Sequence, residues 1–254
     1  MQVWCDVHLR LDVHVRLELH LRLALSRTCD TGDRNMPIAI RDRRAPRPAL
    51  APVSGLDVRI ESRAHVMAQL QNRSEAEMSR RLADGHRAYV AYRAGDAAAW
   101  GWVATRSAHI GELQSTFTVP KAERYLWNFV TLAAHRGMGI YPRLLDAIVE
   151  MEQSEVDRFW VAYAPENHAS GAGIRKAGFT DIAALSFDED GRPALADIIG
   201  GGATVAAEFL GIRVAHDALA RCWRCAKHGA PMSHSCFAGP CSCDYQRVEV
   251  ACAS

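Results

Sequence analysis

The chain has 254 residues, of which 49% are hydrophobic and 23% are charged, and this composition is typical of a soluble globular protein. Its formal net charge of +1 creates no global field that would attract nucleic acid or a membrane surface, so we expect neither as a partner. No segment has the length and apolarity of a transmembrane helix, and the N-terminus lacks the apolar run of a signal peptide, so we expect a cytoplasmic protein.

Near the N-terminus, residues 6–23 repeat a six-residue unit three times, as DVHLRL, DVHVRL and ELHLRL. The strict alternation of apolar and polar residues is typical of a β-strand, but such a strand would be several times longer than usual. We therefore interpret residues 1–35 as an extension that precedes a translation start at or near Met36. The alternative is an edge strand, or an arm that joins two copies in a homodimer.

The next segment, residues 41–53, contains four arginines and three prolines, which predicts an extended, solvated linker. A regular pattern begins only at residue 56. We therefore expect three parts: an N-terminal extension and linker at 1–55, a globular domain at 56–202, and a helix with a cysteine-rich tail at 203–254.

The first half of the globular domain is predicted to be mainly strands. Helix-forming stretches occupy residues 64–82, where Ser74 and Glu77 have the spacing of a capping box. A turn at residues 94–96 separates two strands. The predicted strands are 56–61, 88–92, 98–105, 112–118 and 125–132.

The second half mixes helices with strands. Helices are predicted at residues 140–151, 169–177 and 203–221, and Gly178 follows the second of them as a C-terminal glycine. Strands are predicted at residues 159–164, 182–187 and 193–199. Because strands and helices mix without strict alternation, the fold class is α/β or α+β.

The segment RGMGIY, residues 136–141, joins a predicted strand that ends at Leu132 to a predicted helix that begins near Ile140. The first turn of a helix has free backbone N–H groups, and glycines allow a phosphate to approach them closely. This junction therefore suits a pyrophosphate, although a plain strand-to-helix turn is the alternative. It matches neither a P-loop nor the dinucleotide-binding fingerprint.

Two motifs together resemble the GNAT superfamily of acyl-CoA N-acyltransferases. Arg136, Gly139 and Tyr141 fill the three defined places of its [Arg/Gln]-x-x-Gly-x-[Gly/Ala] signature. Downstream, residues 167–170 resemble its Asn-x-x-[Ala/Ser] motif, and residues 176–179 resemble its terminal Ala-Gly-Phe. The resemblance covers about residues 56–190 and implies that residues 56–202 form an acetyltransferase domain. Its fold would be a mixed, mostly antiparallel central sheet flanked by helices.

The resemblance implies that acetyl-CoA is the cosubstrate and that an amine is the acceptor. A backbone N–H within residues 130–132 would serve the thioester carbonyl, and residues 136–141 would hold the pyrophosphate. Tyr141 departs from the usual small residue, so its ring either lies over the pantetheine, lines the acceptor pocket or packs on the sheet. The expected cofactor-binding residues are Val130, Thr131, Leu132, Arg136, Gly137, Met138, Gly139, Ile140, Tyr141, Asn167 and Ser170.

The catalytic groups are assigned by the same resemblance. Glu112 is our preferred candidate for the base and Glu123 is the second, although each is alternatively a solvated surface carboxylate and a water chain can replace it. The tyrosine that often serves as the acid in the family is replaced here by Ile174, so Tyr163 is our candidate acid, Tyr141 is the alternative, and the thiolate can also leave unprotonated. Asn167 is assigned to the site with them.

Six of the eight cysteines lie between Cys222 and Cys252. Cys222 and Cys225 form a Cys-x-x-Cys knuckle, and Cys241 with Cys243 supplies a second pair, so these four side chains predict a structural zinc site. Free thiols or redox-active cysteines are the alternatives.

Two functions from different classes are consistent with these patterns. The first is an enzyme that transfers an acetyl group from acetyl-CoA to a primary amine. The second is a catalytically silent module that senses an acyl-CoA or another metabolite, while its zinc-binding tail docks a protein or nucleic acid.

Overall fold

A computed structural model of the chain describes residues 35–113, 115–188 and 191–215. Its strands are β1 Met36–Asp42, β2 Leu56–Glu61, β3 His86–Arg93, β4 Asp96–Ala104, β5 Ser107–Ile110, β6 Ser115–Thr118, β7 Glu123–Thr131, β8 Arg158–Ala162, β9 Thr180–Phe187, β10 Pro193–Asp197 and β11 Arg213–Val214. Its helices are α1 Ala64–Gln71, α2 Glu75–Ala83, α3 Ile140–Glu152, α4 His168–Lys176 and α5 Gly202–Leu210.

Nine of the strands form one sheet in the order β11-β10-β9-β1-β8-β7-β4-β3-β2, and β5 and β6 form a separate hairpin. Most neighbours in the large sheet are antiparallel, and β7–β8 and β10–β11 are the parallel pairs within the described residues. This mostly antiparallel sheet with flanking helices confirms the predicted fold class. No helix in the described ranges is long and apolar enough to cross a bilayer.

The parallel strands β7 and β8 pair over only part of their length. Their register runs from Glu123 opposite Arg158 to Leu126 opposite Val161, and β7 then continues to Thr131 without β8 beside it. In this unpaired part, Asn128 has a φ of 53°, and the register between β4 and β7 shifts around Gly101, as at a β-bulge. The sheet is therefore open between the two strands beyond Leu126.

The strand β1 lies in the middle of the sheet, although the sequence pattern led us to expect an extension and linker up to residue 55. It is antiparallel to both β8 and β9, and Ile38 and Ala39 are fully buried between its neighbours. The apolar run Met-Pro-Ile-Ala-Ile explains this position, because a strand covered on both faces needs apolar residues on both. Within the described part of the chain, the sheet thus begins at Met36 rather than at residue 56.

The side chain of Arg41 also departs from the solvated linker that the sequence predicted. It is 5% exposed and donates from Nη1 to Asp146 Oδ1 at 3.0 Å and to the Ala177 carbonyl at 2.8 Å. Asp146 is equally buried and belongs to α3, whereas Ala177 ends α4. One guanidinium therefore joins β1 to both helices that flank the open side of the sheet.

Three local predictions have clear outcomes. The Ser74 hydroxyl accepts from the Glu77 N–H at 3.2 Å, so the predicted cap at the start of α2 is confirmed. The segment 112–118 is not one strand, because a 3-10 turn at Gly111–Leu113 precedes β6 and closes the β5–β6 hairpin. The helix predicted at 203–221 ends at Leu210, because Gly211 adopts a left-handed φ of 66°.

The C-terminal end of α3 is held by the buried carboxylate of Glu152. It accepts from Tyr89 Oη at 2.5 Å, Arg87 Nη1 at 2.7 Å and Arg124 Nε at 2.8 Å. Burial alone would raise the pKa of Glu152, but the hydrogen bonds from these three donors outweigh it and hold the pKa below its ordinary value. The carboxylate therefore stays charged and ties α3 to β3 and β7.

We predict that Glu152→Gln lowers the free energy of unfolding by about 3–5 kcal/mol at pH 7, because it removes the buried counter-charge of Arg124, whose other carboxylate partner, Glu155, is 65% exposed. The folded-state pKa lies below the ordinary value of about 4.3. The loss of unfolding free energy therefore has its full size above about pH 4.3 and shrinks as the pH falls through the folded-state pKa. Urea denaturation at several pH values measures both effects.

The matched control is Glu150→Gln, two residues earlier on the same helix. Glu150 pairs with Arg47 in an exposed position, so water screens the interaction and the loss is only a small fraction of that at Glu152. Equal losses for the two variants would contradict a stabilising role for the buried cluster.

Candidate functional site

A cleft of about 680 Å³ opens where β7 continues without β8. Its walls are the end of β7, the loop before α3 and the first turns of α3 and α4. The cleft is lined by Phe129, Val130, Thr131, His135, Arg136, Gly137, Gly139, Ile140, Tyr141, Pro142, Asn167, Ala169, Ser170, Ala172, Gly173 and Lys176. Both sequence motifs, which are separated along the chain, therefore meet at one cleft.

The loop before α3 owes its shape to two glycines. Gly137 and Gly139 have φ values of 77° and 74°, which side chains with a Cβ rarely adopt. Gly139 is the N-cap of α3 and provides no side-chain hydrogen bond, whereas Ser74 and Asn167 cap their helices with side chains. The first N–H groups of α3 consequently have no side-chain acceptor, which is the arrangement that an anion can complete.

The start of α4 is built differently, because the Asn167 side chain caps it. Its Oδ1 accepts from the Ser170 N–H at 3.0 Å. The Ser170 hydroxyl lies 3.3 Å from the hydroxyl of Tyr141, which belongs to α3. The Asn-x-x-Ser motif therefore caps its own helix and connects that helix to the glycine loop.

Tyr141 stands where the resemblance leads us to expect a small residue, and its ring packs between the two helices. A Cβ on Gly173 of α4 would overlap this ring, so the glycine leaves the space that the tyrosine occupies. The ring also lies 5.6 Å from that of Phe129 and lines the cleft. Burial raises the pKa of Tyr141 to about 12, so its hydroxyl stays protonated at neutral pH.

The end of β7 offers a backbone donor to the cleft. The Leu132 N–H donates to the Ala98 carbonyl at 2.9 Å, so it is already used. In an antiparallel pair, hydrogen-bonded residue pairs alternate with pairs that are not hydrogen-bonded. Thr131, opposite Ala99, is therefore in a pair of the second kind, and its N–H faces away from β4 toward the open side.

The charged side chains that line the cleft are basic. Arg136 and Lys176 line it, and no acidic residue is among its lining residues, all of which belong to the described part of the chain. The Arg136 Nε donates to the Thr131 carbonyl at 3.2 Å, which holds the loop against the strand. His135 also lines the cleft, and its Nδ1 is buried without a hydrogen-bond partner among the described residues. This electrostatic environment favours an anionic ligand.

Most of the residues that we expect to bind the cofactor lie together in this cleft. Leu132 packs instead against the cluster around Trp100 and Trp102, and Met138 is 43% exposed outside the lining. The expected residues that line the cleft are Val130, Thr131, Arg136, Gly137, Gly139, Ile140, Tyr141, Asn167 and Ser170.

Sequence reasoning missed part of the wall that α4 contributes. Ala169, Ala172, Gly173 and Lys176 all line the cleft. Their spacing of three and four residues places them on one helix face, and that period was a signal in the sequence. Phe129 was missed as well. It lies two residues from Thr131 and is therefore on the same face of β7.

The candidate catalytic residues are more scattered. Tyr163 is outside the cleft lining: its hydroxyl donates to Asp181 Oδ2 at 2.9 Å and accepts from Arg175 Nη1 at 2.8 Å. Burial and the neighbouring carboxylate raise the pKa of Tyr163. Glu112 lies in the turn Gly111–Leu113 between β5 and β6. Asn167 lines the cleft.

The predicted zinc ligands Cys222, Cys225, Cys241 and Cys243 lie outside the described residues. Within the described ranges, no three histidine, cysteine, aspartate or glutamate side chains are grouped in a way that could hold a metal ion.

The chain is similar in fold to solved acetyltransferases of the GNAT family. One, from Colwellia psychrerythraea, is 14% identical with a TM-score of 0.41, and the match covers 58% of this chain and 53% of that one. A second, from Kribbella flavida, is 13% identical with a TM-score of 0.40, and the match covers 58% and 56%. The chain thus spans little more than half the length of these two structures.

A third similar structure is an aminoglycoside 6'-N-acetyltransferase from Acinetobacter haemolyticus. It is 25% identical with a TM-score of 0.37, and the match covers 49% of this chain and 91% of that one. No protein-family model and no curated protein matches the sequence.

We predict that Gly173→Ala destabilises the protein by roughly 1–3 kcal/mol, because the added methyl group overlaps the Tyr141 ring and forces it to move. The control is Gly200→Ala, at a position where a Cβ meets no atom within 4 Å and φ is not positive. We expect that control to leave stability nearly unchanged. Thermal denaturation of both variants tests this packing, and equal stabilities would show that the ring is not held as described.

Proposed function

We propose that the chain is an N-acetyltransferase that transfers an acetyl group from acetyl-CoA to a primary amine. The observation that supports this most strongly is the convergence of the glycine loop, the capped start of α4 and the unpaired end of β7 on one cleft. These elements offer an anion site and a strand-edge donor side by side, as a long thioester cosubstrate with a phosphate end requires.

The pyrophosphate of acetyl-CoA would bind at the loop 136–141. The N–H groups at the start of α3 lack a side-chain cap, the helix dipole places positive charge there, and Arg136 adds a cation. Pro142 has no N–H, so it removes one donor at a position where the helix has no internal use for it.

The thioester would lie along β7. The Thr131 N–H, which faces away from β4, is well oriented to donate to a carbonyl in the opening. Asn167 uses Oδ1 to cap α4, which leaves its amide NH₂ as a donor toward the cosubstrate. Leu132, which we first included among the donors, is excluded because its N–H already bonds to Ala98.

In the proposed reaction, the neutral amine attacks the thioester carbon and forms the C–N bond. The tetrahedral intermediate then breaks its C–S bond, and the amine proton passes to a base or to water. Glu112 remains our candidate for that base. With the Tyr163 hydroxyl already bound to Asp181 and Arg175, we propose that the thiolate of CoA leaves unprotonated, since a thiol has a pKa of only about 8.5.

One observation favours a second function. Ile174, which is fully buried, stands where the resemblance leads us to expect the tyrosine that serves as the acid, and Tyr163 lies outside the cleft lining. A module that binds an acyl-CoA without transferring the acyl group would need the cleft but no acid. Such a module would bind acyl-CoA at the same anion site as the enzyme but would not transfer the acyl group.

Calorimetry with acetyl-CoA tests the anion site. We predict that Gly139→Pro abolishes binding, because proline cannot adopt a φ of 74° and removes one N–H. The matched control is Gly95→Pro, which imposes a similar conflict at a φ of 95° in the β3–β4 turn, away from the cleft. If Gly139→Pro binds acetyl-CoA as tightly as the wild type does, the loop is not the phosphate site.

Release of CoA thiol in the presence of a panel of primary amines distinguishes the enzyme from the silent module. We predict that at least one amine raises thiol release above the amine-free rate, and that Gly139→Pro removes this increase. If acetyl-CoA binds but no amine in a panel of small molecules, peptides and polyamines raises the rate, the binding module becomes the better proposal.

A further inference from the structure

Two aromatic rings, of Phe129 and Tyr141, form part of the cleft wall and contact each other. Their centroids are 5.6 Å apart and their planes are inclined by 53°. Phe129 comes from β7 and Tyr141 from the first turn of α3, so the pair joins the strand wall to the helix wall. Both residues are only partly buried by the rest of the protein, and both line the cleft.

Each ring lies against a glycine that has no room for a side chain. A Cβ on Gly101 of β4 would overlap the Phe129 ring, and a Cβ on Gly173 of α4 would overlap the Tyr141 ring. Tyr141 is further held by its hydroxyl, which lies 3.3 Å from that of Ser170. The surrounding backbone therefore fixes both rings, and neither can retreat easily from the cleft.

Tyr141 lies in the first turn of α3, and its ring reaches from the glycine loop to Phe129 on β7. Along β7, Phe129 is the lining residue farthest from the glycine loop, and it lies roughly 7 Å deeper than Thr131 at about 3.3 Å per strand residue. Arg136 lies at the loop. The two rings thus connect the glycine loop to the inner end of the cleft, where Phe129 lies.

In an acyl-CoA, the phosphates and the acyl group are far apart along the molecule. If the phosphates bind at the loop, the thioester extends along β7 past Thr131 toward Phe129. We infer that the Phe129–Tyr141 pair limits the length of the acyl group, so that acetyl is accepted and longer chains are excluded. This inference rests on the proposed function and assigns a specificity-determining role to two residues of the same site.

The size limit follows from how the rings are held. A butyryl group carries two more methylenes than acetyl, and these need space that the two rings occupy. Moving Phe129 requires the strand at Gly101 to shift, and moving Tyr141 requires α3 and α4 to separate. Close-packed side chains resist added volume, so the longer chain binds less well even though it is more apolar.

Calorimetric titration of the full chain with CoA, acetyl-CoA and butyryl-CoA tests this without knowledge of the acceptor. We expect the wild type to bind butyryl-CoA about tenfold or more weakly than acetyl-CoA. Phe129→Ala and Tyr141→Ala should reduce that ratio to about two or less, because each removes one ring from the wall of the cleft. Tyr141→Phe keeps the ring and should keep the preference for acetyl-CoA.

The possible failures are distinguishable. If the wild type binds none of the three compounds, the proposed function and this inference both fall. If it binds acetyl-CoA and butyryl-CoA equally well, the cleft holds acyl-CoA but the aromatic pair sets no limit. If Phe129→Ala and Tyr141→Ala both melt like the wild type and keep its preference, some other residue sets the limit. A Tyr141→Ala protein that does not fold leaves Phe129→Ala as the deciding variant.

Discussion

The candidate site depends on the incomplete pairing of β7 with β8. Parallel strands that stay paired consume each other's backbone groups, and here the pairing ends at Leu126 and Val161 while β7 continues to Thr131. The last residues of β7 therefore have backbone groups on that side that β8 does not satisfy. The two helix starts that follow in the chain converge on this opening, and the whole lining of the cleft derives from it.

The opening is useful only because the helices beside it are fixed. In α3, Asp146 is bound to Arg41 of β1, and Glu152 is bound to Tyr89, Arg87 and Arg124. These contacts hold the middle and the C-terminal end of the helix in the core. Its N-terminal end carries no side-chain cap and faces the cleft. Rigid support at one end and unsatisfied donors at the other are what a preorganised anion site requires.

Sequence alone predicted the local features well, because they depend on neighbouring residues. The cap of α2 at Ser74, the turn glycines and the two motifs are all short-range signals. Features that depend on distant partners were not predictable in this way. The buried position of Arg41 follows from Asp146, far along the chain, so an arginine-rich segment looked solvated. The aromatic pair likewise depends on Gly101 and Gly173, which only the folded chain brings next to Phe129 and Tyr141.

The central position of β1 has a consequence for the order in which the protein folds. The strands β2, β3 and β4 are neighbours in sequence and in the sheet, so this meander can form as soon as it leaves the ribosome. The strand β1 is synthesised before them, but Ile38 pairs with Ala162 and Ala183, which emerge much later. The half of the sheet that contains β1 therefore forms only after β8 and β9 have been synthesised. Because β8 forms one border of the opening, the cleft is among the last parts of the molecule to be completed.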